Sequence, residues 1–177
     1  MIGAVIVLLV ACGEDGAGTV HPYDRAPVPA VPDRTEAIDP AMVTADGRLR
    51  AGLPDGDYWA SAVAVGSGRP FILFDLSQAL FGTTCLDQLS AGECADDYGV
   101  ISEPHGTFEV LWDELQTATV VAESQQNFAV PGAELAALIG GNTPGTGAPA
   151  DYQYMSFPFL VTVTGGKIVE AHQIWVP

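Results

Sequence analysis

Phe157-Pro158-Phe159-Leu160-Val161-Thr162-Val163-Thr164, then Gly165-Gly166, then Lys167-Ile168-Val169-Glu170-Ala171-His172-Gln173-Ile174-Trp175, is the stretch that decides the fold class. Two runs rich in β-branched and aromatic residues flank a Gly-Gly pair. Glycine takes positive φ without steric cost, so the pair matches a two-residue primed hairpin turn. In an unbroken register Thr164 opposes Lys167, Val161 opposes Glu170 and Phe159 opposes His172. Glu170 and His172 then share a face with Phe159 and Val161, and Leu160, Thr162, Val169 and Ala171 take the other.

Working back from this hairpin, Pro131-Gly132 opens a helix over Ala133 to Ile139, with Leu135, Leu138 and Ile139 as its buried stripe and Gly140-Gly141 as its stop. Thr107–Trp112, Thr117–Ala122 and Asn127–Val130 read as strands. Tyr58 to Val65 and Phe71 to Leu76 read as a hairpin around Gly66-Ser67-Gly68. The apolar run Phe71-Ile72-Leu73-Phe74 points to a strand covered on both faces. Ser77 is placed to cap a short helix through Ala79, Leu80 and Phe81, stopped by Gly82. Thr84 to Gly99 reads as short helix or loop, and Asn142 to Asp151 as a Gly/Pro/Thr loop. The expected fold is α+β: a mainly antiparallel, twisted sheet of five to seven strands with two short helices and a C-terminal β-hairpin.

The sequence expectation is a single globular domain over residues 53–177. Ahead of it, Pro22, Pro27, Pro29, Pro32 and Pro40 are interleaved with Asp24, Asp33, Glu36 and Asp39. Proline fixes φ and removes a donor, so residues 12–52 read as an extended tether. Residues 1–11 read as a signal peptide. Ile2 to Ala11 is uncharged and apolar, with the length of a signal-peptide h-region and half that needed to span a bilayer. No Lys or Arg precedes it.

Leu9-Val10-Ala11-Cys12, followed at once by Gly13-Glu14-Asp15, resembles the lipobox of bacterial lipoproteins. The resemblance implies cleavage before Cys12, a diacylglycerol on its sulfur, and in many bacteria acylation of the new amino group. Two chains anchor stably where one does not. The expectation is a protein held to the membrane through the lipid on Cys12, facing outside the cytoplasm. Further along, Asp55-Gly56 ahead of a Tyr-Trp strand, Asp96-Asp97-Tyr98 and the terminal hairpin ending in Pro resemble uncharacterised exported proteins and lipoproteins of high-GC Gram-positive bacteria. That resemblance implies export and a small α+β domain, and no established activity.

Three cysteines leave one to explain. Lipidation accounts for Cys12, and an exported compartment permits a disulfide between Cys85 and Cys94. Two free buried thiols are the competing reading. The Cx₈C spacing is not that of a zinc site.

The 177 residues carry 6 basic and 22 acidic side chains, a net charge of −16. Within 53–177 only Arg69 and Lys167 stand against fifteen carboxylates. Unaided nucleic-acid binding needs a Lys/Arg surface to replace phosphate counterions, so it is argued against, as is a polybasic membrane contact. The acidic surplus reads as a solubility feature.

Candidate chemistry is thin. The histidines are His21, His105 and His172, and there is no GxSxG elbow. Glu170 and His172 point to one side of a strand, where a carboxylate could tune an imidazole base, but a solvated sheet face is the expectation. His172 is expected to have no Ser, Thr or Cys side chain within reach; one there, with a carboxylate on the ring, is the arrangement of a hydrolase. Asp55-Gly56-Asp57 and Asp96-Asp97 could ligate Ca²⁺, though the EF-hand pattern is absent. Tyr98, Trp112, Tyr152, Tyr154, Phe157, Phe159 and Trp175 could form a groove, but aromatics in strands are more often core. The expected function is a non-catalytic binding module at the cell envelope, without cofactor or metal, for an envelope protein or small ligand. An envelope-acting hydrolase, a structural spacer and a calcium-binding surface domain are the alternatives. An enzyme should bring His105, His172 or a carboxylate pair into a pocket; a binder should show an apolar or aromatic patch.

Overall fold

The computed structural model describes residues 21–176. Among them are eight strands: β1 (Arg25–Ala26), β2 (Gly56–Val65), β3 (Phe71–Phe81), β4 (Tyr98–Leu111), β5 (Thr117–Val121), β6 (Asn127–Ala129), β7 (Phe159–Thr164) and β8 (Lys167–Gln173). Two α-helices accompany them, α1 (Gly82–Gln88) and α2 (Gly132–Ile139). The strands form one sheet in the order β1-β6-β5-β8-β7-β2-β3-β4. Every neighbouring pair is antiparallel except β5 and β8, which run parallel. The α+β expectation holds, but the sheet is mixed and has eight strands rather than five to seven.

The Gly-Gly turn forms as its chemistry requires, with Gly165 at φ 60° and Gly166 at φ 75°. Beyond it the register departs from the sequence expectation. Val163 faces Ile168, but Thr162 faces Glu170, so Val169 is an extra residue in a β-bulge. The bulge moves the rest of β8 by one position. His172 now opposes Leu160, and Ala171 opposes Val161. Because side chains alternate across a strand, Glu170 and His172 pass to the face of Leu160 and Thr162, away from Phe159 and Val161.

The first face of the sheet carries the main core. Tyr58, Ile72, Phe74, Leu76, Phe159, Val161 and Ala171 are buried there against Leu135 and Leu138 of α2. The helix occupies the stretch read from the sequence, and its stripe is the expected one, with Ala136 buried and Ile139 half-buried. Its first turn sits on the end of β4: a Cβ at Gly132 would lie 1.9 Å from the Trp112 carbonyl oxygen. Glycine alone permits that approach.

Two elements differ from the reading of the sequence: Ser77–Phe81, and β4, which begins at Tyr98 rather than at Thr107. Ser77 to Phe81 is not a helix but the second half of β3, paired from Gln78↔Ile101 to Phe81↔Tyr98. Hydrogen bonding to the long β4 overrides the local capping signal. Helix α1 follows, over Gly82–Gln88.

The larger correction concerns residues 21–52. From Tyr23 onward the expected tether is part of the folded body. Tyr23, Ile38, Leu49 and Leu53 lie in the main core. Tyr23 N–H donates to Ala129 O (2.7 Å) and Ala129 N–H to Asp24 O (2.8 Å), fastening the segment to β6. It then crosses the second face and, at its far end, pairs edge-on with the sheet through the antiparallel bridge Arg34↔Leu80. Phe81 N–H donates to Asp33 O (2.9 Å), Thr35 N–H to Ala79 O (2.9 Å) and Glu36 N–H to Asp57 O (2.7 Å). The ten residue steps from Ala26 of β1 to Glu36, which meets Asp57 of β2, reach roughly 31 Å at about 3.1 Å each. The five strand spacings from β1 to β2, at about 4.8 Å each, need roughly 24 Å. A nearly extended strap therefore fits. Pro27, Pro29 and Pro32 suit it physically, because a chain lying flat on a sheet face cannot hydrogen-bond its N–H groups to the strands below, and proline has none. Val31 packs with Trp59, Leu160 and Ile174 under the strap. The chain then returns to the first face at Ile38, so residues 23–49 encircle the sheet.

Candidate functional site

Cys12, the expected lipidation site, lies outside the described residues. Cys85 in α1 and Cys94 are paired at disulfide distance, with Cα atoms 5.9 Å apart, and are buried with Leu80. His21 lies at the exposed start of the described chain, its N–H donating to Asp24 Oδ2.

His105 sits where β4 bulges away from β3, between the pairs Leu76↔Gly106 and Gln78↔Ile101. Its Nδ1 is 2.9 Å from Asp75 Oδ1, and its Nε2 is 3.5 Å from Glu103 Oε1. The hydrogen bond and charge of Asp75 raise the imidazole pKa above its ordinary value. The group is an exposed ion pair, outside both clefts described below.

The aromatics weighed as a possible groove do not come together as one site. Phe159 is core, and Tyr98 stacks on Phe81 beside Trp59 on the second face. Tyr152, however, lines an open cleft of about 970 Å³ at the β1–β6 edge of the sheet. Tyr23, Phe128 and Met155 line it too, with Arg25, Gln126 and Gln153. Tyr152 meets the rings of both Tyr23 (5.5 Å) and Phe128 (6.3 Å) edge-on. Tyr23 OH donates to Glu134 Oε1 on α2 at 2.6 Å. Burial, then that bond, raises the Tyr23 pKa, and burial does the same for Tyr152. Burial also pushes Tyr154 up to about 12. The phenols of the cleft wall are therefore neutral, a rigid aromatic lining.

A second, smaller cleft of about 370 Å³ lies under the strap. Its floor is built by register. Asp57 of β2, Thr162 of β7, Glu170 of β8 and Thr117 of β5 are direct neighbours across four strands. The next row is Trp59, Leu160, His172 and Thr119. Ala26, Pro27, Pro29 and Ala30 form the roof. Thr162 Oγ1 donates to Asp57 Oδ1 at 2.7 Å.

Here the structure contradicts the expectation for His172. Thr119 Oγ1 lies 3.1 Å from His172 Nδ1, and Glu170 Oε2 lies 3.3 Å from Nε2. Asn127 of β6 also reaches the threonine hydroxyl. Its Nδ2 must donate to the Gln173 carbonyl (3.0 Å), since a carbonyl can only accept, and its second proton points to Thr119 Oγ1 (3.3 Å). A carboxylate can only accept, so the Nε2 proton donates to Glu170, and in that tautomer the bare Nδ1 accepts from the threonine hydroxyl. Asn127 and Thr119 are each 2% exposed, whereas the His172 side chain is 16% exposed. The arrangement sets one ring nitrogen on a hydroxyl and the other on a carboxylate.

Sequence reasoning missed Thr119 and Asn127. Their contact depends on the parallel β5–β8 pairing, which has no local turn to announce it. The available signal was polarity: each is a polar residue within an apolar strand. The carboxylates read as possible calcium ligands are apart. Asp55 accepts from the Gly166 N–H, Asp57 faces the strap cleft, and Asp96 and Asp97 lie in the turn before β4. Among the described residues no group of three or more His, Cys, Asp or Glu is placed to hold a metal ion.

No family model matches the chain, and neither does any curated protein or solved structure.

Proposed function

We propose that this chain is a binding module, anchored outside the cytoplasm by a lipid on Cys12, whose ligand enters the open cleft at the β1–β6 edge. The observation that carries the reading is the cleft itself. Its 970 Å³ lies near the upper end of the usual range for small-molecule sites. Edge-on rings of Tyr23, Tyr152 and Phe128 give it a stiff aromatic wall, and Met155, an exposed large apolar side chain, supplies an adaptable one. Arg25 of β1 is the one Lys or Arg among the lining residues, and the carboxylates Glu123 and Asp151 line the cleft with it. The ligand this chemistry fits has a flat apolar body and a hydrogen-bonding tip that Arg25, Gln126 or Gln153 can meet. The Leu9-Val10-Ala11-Cys12 string supports the anchor.

The cleft is tested with 8-anilinonaphthalene-1-sulfonate, which has such a body and one anionic group. Saturable binding at one site is expected, weakened about tenfold or more by Arg25→Glu or Met155→Glu, the loss of a single good contact at ~1.4 kcal/mol. No saturable binding, or binding indifferent to both substitutions, contradicts the reading. The anchor is tested by Cys12→Ser in a host with a functional start site, which should release the protein from membranes or block its processing. Unchanged membrane association and mature mass would contradict it.

A further inference from the structure

We propose that Thr119, His172 and Glu170 form an acyl-transfer site under the strap, separate from the aromatic cleft and independent of what that cleft binds. The three groups hold the order a covalent hydrolysis needs. A hydroxyl faces the bare nitrogen of an imidazole at 3.1 Å, and a carboxylate holds the opposite ring N–H at 3.3 Å. The carboxylate of Glu170 can only accept, so it takes the Nε2 proton and selects the tautomer whose bare Nδ1 faces Thr119.

The chemistry balances with water as the sole co-reactant. Thr119 Oγ1 adds to the carbonyl carbon of an ester, and its proton passes to His172 Nδ1. Glu170 stabilises the imidazolium through Nε2–H. The tetrahedral adduct collapses, the bond from carbon to the alcohol oxygen breaks, and the alcohol leaves with the Nδ1 proton. Water then adds to the acyl-threonine and gives a proton to Nδ1. The acid departs as Thr119 Oγ1 takes that proton back.

The cleft restricts the substrate. At about 370 Å³ it is near the lower end for ligand sites, so the acyl group is small. Neither Lys nor Arg lines it, while Asp57 and Glu170 do. Anionic esters are repelled, and neutral or cationic ones are accepted. Thr119 is nearly closed off, with Pro27, Pro29 and Ala30 above the floor, so the ester must enter along the strap.

The experiment uses p-nitrophenyl acetate with the full folded chain. Expected are a burst of nitrophenol and an acetyl group located on Thr119 by peptide mass spectrometry. Thr119→Ser keeps the acetylation, and Thr119→Val abolishes it. His172→Gln slows acylation about 10²-fold or more, the usual contribution of a general base. Glu170 acts through His172 and is a positioning residue, so Glu170→Gln should lower kcat while leaving KM for the ester unchanged. An acetyl group found only at other residues of the wild-type chain overturns the proposal, and that result needs no variant to fold. Turnover by Thr119→Val equal to wild type overturns it as well.

Discussion

Replacing Thr119 by valine removes one oxygen and little else. Valine has the same shape and an equal preference for strands, so packing and backbone are preserved. Two hydrogen bonds are lost, from Asn127 Nδ2 at 3.3 Å and to His172 Nδ1 at 3.1 Å. The costs differ. His172 borders the strap cleft, where water can replace the hydroxyl. Asn127 is almost fully buried and keeps only its bond to the Gln173 carbonyl, so one amide proton is stranded. A stranded buried donor costs about 1–3 kcal/mol. With a urea m-value of about 2 kcal/mol/M, the unfolding midpoint should fall by roughly 0.5–1.5 M at unchanged m. Thr119→Ser, which retains the oxygen, should recover most of the polar part of that loss. Equilibrium urea unfolding followed by Trp fluorescence measures it. A midpoint equal to or above wild type would refute the placement of the hydroxyl between the amide and the imidazole.

Loss of the Cys85–Cys94 link should cost roughly 2.5–3 kcal/mol, the chain-entropy value for a ten-residue loop. Non-reduced peptide mapping should find the linked pair, and two separately alkylatable thiols in protein purified under non-reducing conditions would end the idea. Tyr23→Phe removes a 2.6 Å bond to a carboxylate that retains the Gly145 N–H. It should lower stability by about 1–2 kcal/mol in thermal or urea unfolding, and no change would mean that the tyrosine does not clamp the strap to α2. His105 has a raised folded-state pKa, first through its hydrogen bond to Asp75. The bond stabilises the fold fully below the unfolded value near 6.5, and the benefit is lost as pH rises through the higher folded value. The stability gap between wild type and Asp75→Asn should therefore narrow from pH 5 to about pH 9, and a gap that widens with pH would contradict the pair.

The features legible in the sequence are those fixed by local chemistry. The Gly165-Gly166 turn needs positive φ at both positions, and the helix after Pro131 needs only its own stripe. The features that escaped reading depend on residues distant in the chain. The Val169 bulge is one extra residue in a run that alternates acceptably either way, yet it moves Glu170 and His172 to the other face and so creates the strap cleft. Ser77 to Phe81 carries a good capping residue, and only its pairing with Tyr98 to Ile101 makes it strand. A proline-rich segment has one composition whether it floats or lies on a sheet. What separates the two is the apolar residues set among the prolines: Tyr23, Val31, Ile38 and Leu49 each find a cluster. The disulfide pair needed only the count of cysteines and the compartment inferred from Cys12.

Both clefts owe a wall to residues 23–30, so the account stands on the encircling segment being part of the fold. Urea unfolding of two chains, residues 21–177 and residues 53–177, tests this most directly. The shorter chain lacks Tyr23, Ile38 and Leu49 from the core and the strap from the second face. Burying each such side chain is worth about 1.5–3 kcal/mol, which together approaches the 5–15 kcal/mol by which a domain is stable. The longer chain should unfold in one cooperative transition, and the shorter should show none or one at far lower urea. Equal midpoints for the two would mean that residues 21–52 are a tether after all.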